Sequence, residues 1–333
     1  MNPMTPSPLP SLTRRRFVGQ FATATTLAWL APGMRAPAAE RAATPAIPVQ
    51  RYRISVCDWM LLKRQKLGAF ALAHEIGADG VEVDMGGLGD RPTFDSALGD
   101  GGVRRQFLEK AKELGLGVSS LAMSGFYAQS FAERPGVERM VQDCLDTMVA
   151  MGVKVAFLPL GVQGDLVKRP ELRPAIVARL KSVAARAETA GVVVGIETAL
   201  DARGEATLLD EVDSPAVRSY FNFANALQNG RDLNAEIRTL GKDRICQIHC
   251  TDEDGVWLQN NSRLNLPAVK ATLDAIGWGG WLVVERSRDA KDARNVRKNF
   301  GANVAHLKTI FQTPPTRAEP GRGPLGGVTS KSS

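Results

Sequence analysis

From Ile54 onward the chain alternates two hydrophobic patterns. Short, nearly continuous apolar runs rich in valine and isoleucine predict strands buried on both faces. Longer runs with apolar residues three or four positions apart predict helices packed along one side. The strand runs cover 54–57, 81–83, 118–121, 155–158, 192–196, 218–221, 245–249 and 282–285. Helical patterns between them include 104–114, 137–151, 172–190, 233–240 and 267–276, with a last one over 294–311. Glycine closes several of them, at 77, 115, 152, 191, 241 and 277, where a left-handed C-cap suits a residue without Cβ. Eight strand–helix repeats are the number that closes a barrel, so the predicted fold is α/β, a single (β/α)8 TIM barrel spanning 51–313. The alternative, an open doubly wound sheet, lacks a G-x-G-x-x-G after the first strand.

The two ends follow different patterns. Thr13-Arg14-Arg15-Arg16-Phe17-Val18-Gly19 precedes an apolar run at 21–30 and the small-residue site Ala36-Pro37-Ala38. A basic segment, a short apolar core and an A-x-A site in that order are a secretory signature, and the paired arginines resemble a twin-arginine (Tat) signal. The expectation is a Tat-type signal peptide over 1–38, a linker over 39–50, passage through the Tat export machinery and a periplasmic or exported location. The apolar run is shorter than the roughly 20 residues of a membrane span, and no cysteine precedes Cys57, so no stable membrane anchor is expected. Residues 314–333 are dominated by Gly, Pro, Ser and Thr and read as a disordered tail.

Charge excludes one class of partner. The net charge of +7 includes four arginines and no acid in residues 1–38, which leaves the remainder near +3, no footprint for nucleic acid. Four cysteines, at 57, 144, 246 and 250, read as buried free thiols.

In a barrel of this kind chemistry gathers at the carboxyl ends of the strands. Glu197, Asn222, His249 and Glu285 end the fifth to eighth runs. Two carboxylates, an amide oxygen and an imidazole converging there can hold a divalent metal such as Mn2+, Mg2+ or Co2+. A charged glutamate ending an apolar strand is costly without a partner, and a metal would pair with both. Trp59 and Trp257 are candidates to stack on a ligand's apolar face at the barrel mouth, and Arg286 to contact it; Glu82 is a candidate to contact it too, although Glu82 and Asp84 read better as supporting or helix-capping residues.

Several motifs carry a resemblance. They are Cys57-Asp58-Trp59, Gly195-Ile196-Glu197-Thr198, Asp232-Leu233-Asn234-Ala235-Glu236-Ile237-Arg238, Ile245-Cys246-Gln247-Ile248-His249 and Ile276-Gly277-Trp278-Gly279-Gly280-Trp281-Leu282-Val283-Val284-Glu285. Through them the stretch from Ile54 to Leu307 resembles the sugar phosphate isomerase/epimerase family of the xylose-isomerase-like superfamily, and more narrowly its Tat-exported branch. The resemblance implies metal ligands Glu197, Asn222, His249 and Glu285, with Glu197 and Glu285 also the catalytic acid/base pair. The sequence departs from the family at Asn222, where relatives carry Asp, and at Leu258-Gln259-Asn260-Asn261, where they carry Gly-Glu-Gly after a Leu.

The expected activity is therefore a metal-dependent isomerisation or epimerisation of a neutral sugar or keto-sugar, by proton transfer next to a carbonyl through an enediolate. A keto-glycoside lyase or sugar dehydratase would use the same site, and Asn222 keeps an exported, non-catalytic sugar-binding protein in view. With only His74, His249 and His306, the chain lacks the histidines of a three-zinc nuclease on this barrel. The acidic loop Thr251-Asp252-Glu253-Asp254-Gly255 argues against a phosphorylated substrate, although Arg286 and Arg288 after the eighth run keep that option open. The sequence leaves self-association open.

Overall fold

A computed structural model describes residues 51–313. The expected signal peptide, linker and tail lie outside the described residues.

Eight parallel strands close in sequence order, β1 next to β2 and so on round to β8 beside β1. They are β1 (Tyr52–Cys57), β2 (Gly80–Asp84), β3 (Gly117–Ala122), β4 (Val155–Pro159), β5 (Val193–Glu197), β6 (Val217–Asn222), β7 (Ile245–His249) and β8 (Gly280–Val284). Among the described residues the α-helices are α1 (Gly68–Glu75), α2 (Gly101–Glu113), α3 (Val137–Met151), α4 (Arg173–Ala190), α5 (Ala202–Val212), α6 (Phe223–Gln228), α7 (Leu233–Arg244), α8 (Leu266–Ala275) and α9 (Val296–Phe311). The single TIM barrel is as expected, and every predicted strand lies within two residues of an observed one. The helix expected to end at 240 runs on to Arg244 through a kink at Gly241 (φ 70°). Gly152 (φ 69°) and Gly191 (φ 65°) close α3 and α4 in the left-handed conformation, one that a Cβ would disfavour.

Two cores result from strands buried on both faces. The larger lies between sheet and helices and contains Val56, Leu145, Ile176, Val194, Ile248 and Leu282. The smaller fills the barrel with Cys57, Ala122, Phe157, Tyr220, Trp281 and Val283. At the amino ends of the strands Trp281 occupies the interior. A Cβ on Gly80 would stand 2.6 Å from its ring, so glycine there makes the room. The four cysteines are unpaired.

The period of two along a strand sets the site. Gly195 and Glu197, Tyr220 and Asn222, Gln247 and His249, and Val283 and Glu285 are spaced to share the inner face. The register places Asn222 opposite His249 and Glu82 opposite Ser120. A Cβ on Gly195 would meet the Tyr220 ring at 2.9 Å and Cys246 Sγ at 2.7 Å, so this glycine admits the tyrosine beneath the site.

Candidate active site

Glu197, Asn222 and His249 are the last residues of β5, β6 and β7, and Glu285 directly follows β8. All four are buried, His249 completely. His249 Nδ1 stands 3.1 Å from Glu197 Oε2 and 3.7 Å from Glu285 Oε2. One ligand atom from each of Glu197, His249 and Glu285 lies within 4.8 Å of the other two, the geometry of a small cation site.

Asn222 reaches the same point with its other end. Its amide Nδ2 donates to Glu197 Oε2 at 2.9 Å and lies 3.4 Å from Glu285 Oε2. Its Oδ1 accepts from Ala224 N at 2.9 Å and caps α6. Turning the amide over would set NH2 against a backbone N–H and an oxygen against two carboxylates, so the hydrogen-bond network assigns this orientation. The expected fourth ligand therefore acts here as a donor clamp between the glutamates, with its oxygen turned away.

Below lies a polar layer. Glu82, expected to contact substrate, is completely buried. Its Oε1 meets His249 Nε2 at 3.0 Å, and its Oε2 accepts from Ser120 Oγ at 2.6 Å and from the Tyr220 hydroxyl. Gln247 Nε2 donates to both Ser120 Oγ and the Tyr220 oxygen at 2.8 Å. The strand-end pattern leaves Glu82 open between contact with substrate and a supporting place behind the site, because a strand-end carboxylate looks the same in either, and the register sets it one layer deeper. Ser120, Tyr220 and Gln247 went unnoticed, and their one signal was polar atoms inside otherwise apolar strands.

Electrostatics follow from this crowding. Burial disfavours the imidazolium of His249, but Glu285, Glu82 and Glu197 outweigh it and hold its pKa well above the ordinary value. Burial raises the Glu285 carboxyl, against the pull of His249. Three carboxylates facing one imidazole leave excess negative charge, and the oxygen–nitrogen–oxygen donor set suits a divalent cation. Glu197, His249 and Glu285 thus fit such an ion.

The mouth is uneven. Trp59 stacks on Phe157 (centroids 6.5 Å apart, planes at 13°), and Tyr127 donates to Glu285 Oε1 at 3.2 Å. Both line a cavity of about 330 Å3 with Arg64, Leu88, Gly125 and Gln129. Trp257 lines a different cavity, of about 290 Å3, where its Nε1 donates to Asn299 on α9 at 2.7 Å. Arg286 is exposed and forms no ion pair among the described residues. The loop expected to repel anions is largely neutralised from within. Arg263 binds Asp252 at 2.7 Å, and Arg288 binds Asp254 at 2.6 Å. At the ends of β1 and β2, Asp58 and Asp84 organise loops. Asp58 accepts from Gln65 N at 2.8 Å, while Asp84 binds Arg64 at 2.7 Å and Ser124 at 2.8 Å.

Known proteins resemble this chain over most of the barrel. A 2-epi-5-epi-valiolone 7-phosphate 2-epimerase from Actinoplanes is 29% identical over 206 residues, covering 60% of this chain and 72% of the epimerase. D-psicose 3-epimerase from Clostridium cellulolyticum superposes with a TM-score of 0.63 at 14% identity, covering 78% of this chain and 99% of that one. A 3-keto-D-glucoside 4-epimerase from E. coli superposes with a TM-score of 0.57 at 19% identity, covering 78% and 99%. The sequence model of one family matches residues 70–310, and the chain belongs to that family, the xylose isomerase-like TIM barrels.

Proposed function

We propose that the protein is a sugar isomerase or epimerase that depends on a divalent metal and moves a proton at a carbon next to a carbonyl. The observation that carries this is the pair Glu197 and Glu285, two buried carboxylates within reach of the same His249 nitrogen and the same Asn222 amide. Glu197, His249 and Glu285 would hold the ion, which when bound stabilises negative charge on the substrate's carbonyl oxygen. One glutamate takes the proton from the neighbouring carbon and the other returns one, to the opposite face or to the adjacent carbon. Asn222 keeps both carboxylates turned toward the centre, and Tyr127 steadies Glu285. Trp59 and Tyr127 offer flat walls for a sugar's apolar face beside the acid–base pair.

The similar proteins named above are epimerases acting at three different carbons, which supports the reaction class. We infer a neutral ketose or keto-glycoside as substrate, because buried carboxylates crowd the floor of the mouth. The arginine pair at Arg14-Arg15 supports Tat export to the periplasm. The test is solvent exchange. Protein loaded with Mn2+, Mg2+ or Co2+ is incubated in heavy water with a panel of ketohexoses, 3-keto-glucosides and their phosphates. Deuterium entering one carbon next to the carbonyl of a neutral sugar is expected. Exchange confined to the phosphates overturns the substrate class, elimination of a substituent favours a lyase, and the absence of any turnover favours a sugar-binding protein.

A further inference from the structure

We propose that Glu82 is the positioning residue of the metal site. Its carboxylate accepts the hydrogen bond of the His249 Nε2–H and leaves Nδ1 as the ligand atom facing Glu197 and Glu285. This deepens the metal-dependent reading above and rests on it.

Four observations lead there. First, the two imidazole nitrogens have separate carboxylate partners, Nε2 with Glu82 Oε1 at 3.0 Å and Nδ1 with Glu197 Oε2 at 3.1 Å. Only the Nδ1 side also approaches Glu285, at 3.7 Å. The ion-binding face and the anchoring face of the ring are thus distinct. Second, Glu82 is itself fixed. Its far oxygen accepts from Ser120 and Tyr220, and Gln247 braces both of those hydroxyls. Third, the ring packs against both Phe157 (centroid 4.7 Å away) and Tyr220 (4.6 Å), which also touch each other at 4.8 Å, so packing on one side restricts its plane and the carboxylate sets its tautomer. Fourth, Glu82 is wholly buried under His249, which separates it from any sugar in the mouth. A carboxylate bonded to the far nitrogen of a ligating histidine orients the ring and raises its basicity, and losing such a partner costs about 10–100-fold in metal affinity.

Zn2+, which is diamagnetic, serves as the probe. The chain has three histidines, and His74 and His306 lie on α1 and α9, so histidine nitrogen resonances of labelled full-length protein can be assigned by substitution. In the wild-type protein loaded with Zn2+, His249 should keep its Nε2 proton, shifted downfield by Glu82, with Nδ1 on the ion. The opposite tautomer overturns the proposal, and this measurement needs no variant that folds. In Glu82→Gln with wild-type circular dichroism, Zn2+ affinity by calorimetry should fall about 10–100-fold. Unchanged affinity overturns the proposal. If the wild type binds no ion, the metal reading fails by itself. The Nε2 proton of the metal-free protein then decides the positioning role: it should move upfield in Glu82→Gln, and an unmoved signal refutes it.

Discussion

Replacing Asn222 with Asp tests the arrangement of charge directly. The amide nitrogen of Asn222 lies 2.9 Å from Glu197 Oε2 and 3.4 Å from Glu285 Oε2. An aspartate oxygen in its place turns two attractions into repulsions. At an effective dielectric constant of 20, unit charges at those separations repel by about 6 and 5 kcal/mol. The new carboxyl escapes most of this by taking up a proton. Protonating an ordinary aspartate at pH 7 costs about 4 kcal/mol, which caps the penalty. The metal-free variant should therefore be about 3–4 kcal/mol less stable at pH 7, or about 6–8 °C lower in Tm for a domain of this size. The loss should shrink as the pH falls toward 4, because a carboxyl whose folded pKa is raised destabilises only where its unfolded counterpart is ionised. A divalent ion reverses the balance, since a third charged ligand attracts it. Affinity for Mn2+ should rise at least about tenfold, equivalent to about 1.4 kcal/mol, and the metal-induced rise in Tm should exceed that of the parent. Scanning fluorimetry across pH, with and without Mn2+, and calorimetry read both effects. A metal-free variant as stable as the parent that binds the ion no more tightly would refute the placement of Asn222 between the two glutamates.

Glu197→Gln and Glu285→Gln should each lower deuterium exchange at least about 100-fold, with metal content measured in parallel; full turnover in either, metal bound, removes the two-carboxylate mechanism. The metal-free protein should lose Tm as pH rises above neutral. His249 has a raised folded pKa, so its contribution is complete below its unfolded value of 6.5 and vanishes as pH passes the folded one, while the raised Glu285 carboxyl opposes folding over the same alkaline direction. A bound divalent ion should flatten that slope, and equal slopes with and without metal would contradict the shared charge cluster. Arg14→Lys combined with Arg15→Lys should trap precursor in the cytoplasm, as read by fractionation, and undiminished periplasmic delivery would remove the Tat reading.

The architecture was legible because it rests on local signals. Runs such as Val192-Val193-Val194-Gly195-Ile196 leave few options but a strand buried on both faces, and eight of them separated by helix-forming segments close one kind of barrel. The positions of Glu197, Asn222, His249 and Glu285 at strand ends follow from the same pattern. What each side chain does there depends on partners far away in sequence. Asn222 looked like a ligand, yet the first turn of α6 captures its oxygen and leaves the amide for the glutamates. Glu82 fitted either the mouth or a supporting place behind it, and the stagger of the strands decides, setting β2 so that its carboxylate lies under His249, 167 residues away. Trp257 belongs with Asn299 through the loop that packs on α9. Hydrophobic periodicity is written in neighbouring residues, so the chain alone determined strand, helix and barrel. Hydrogen-bond direction and depth in the barrel depend on register between strands, and only the closed tertiary structure decided those.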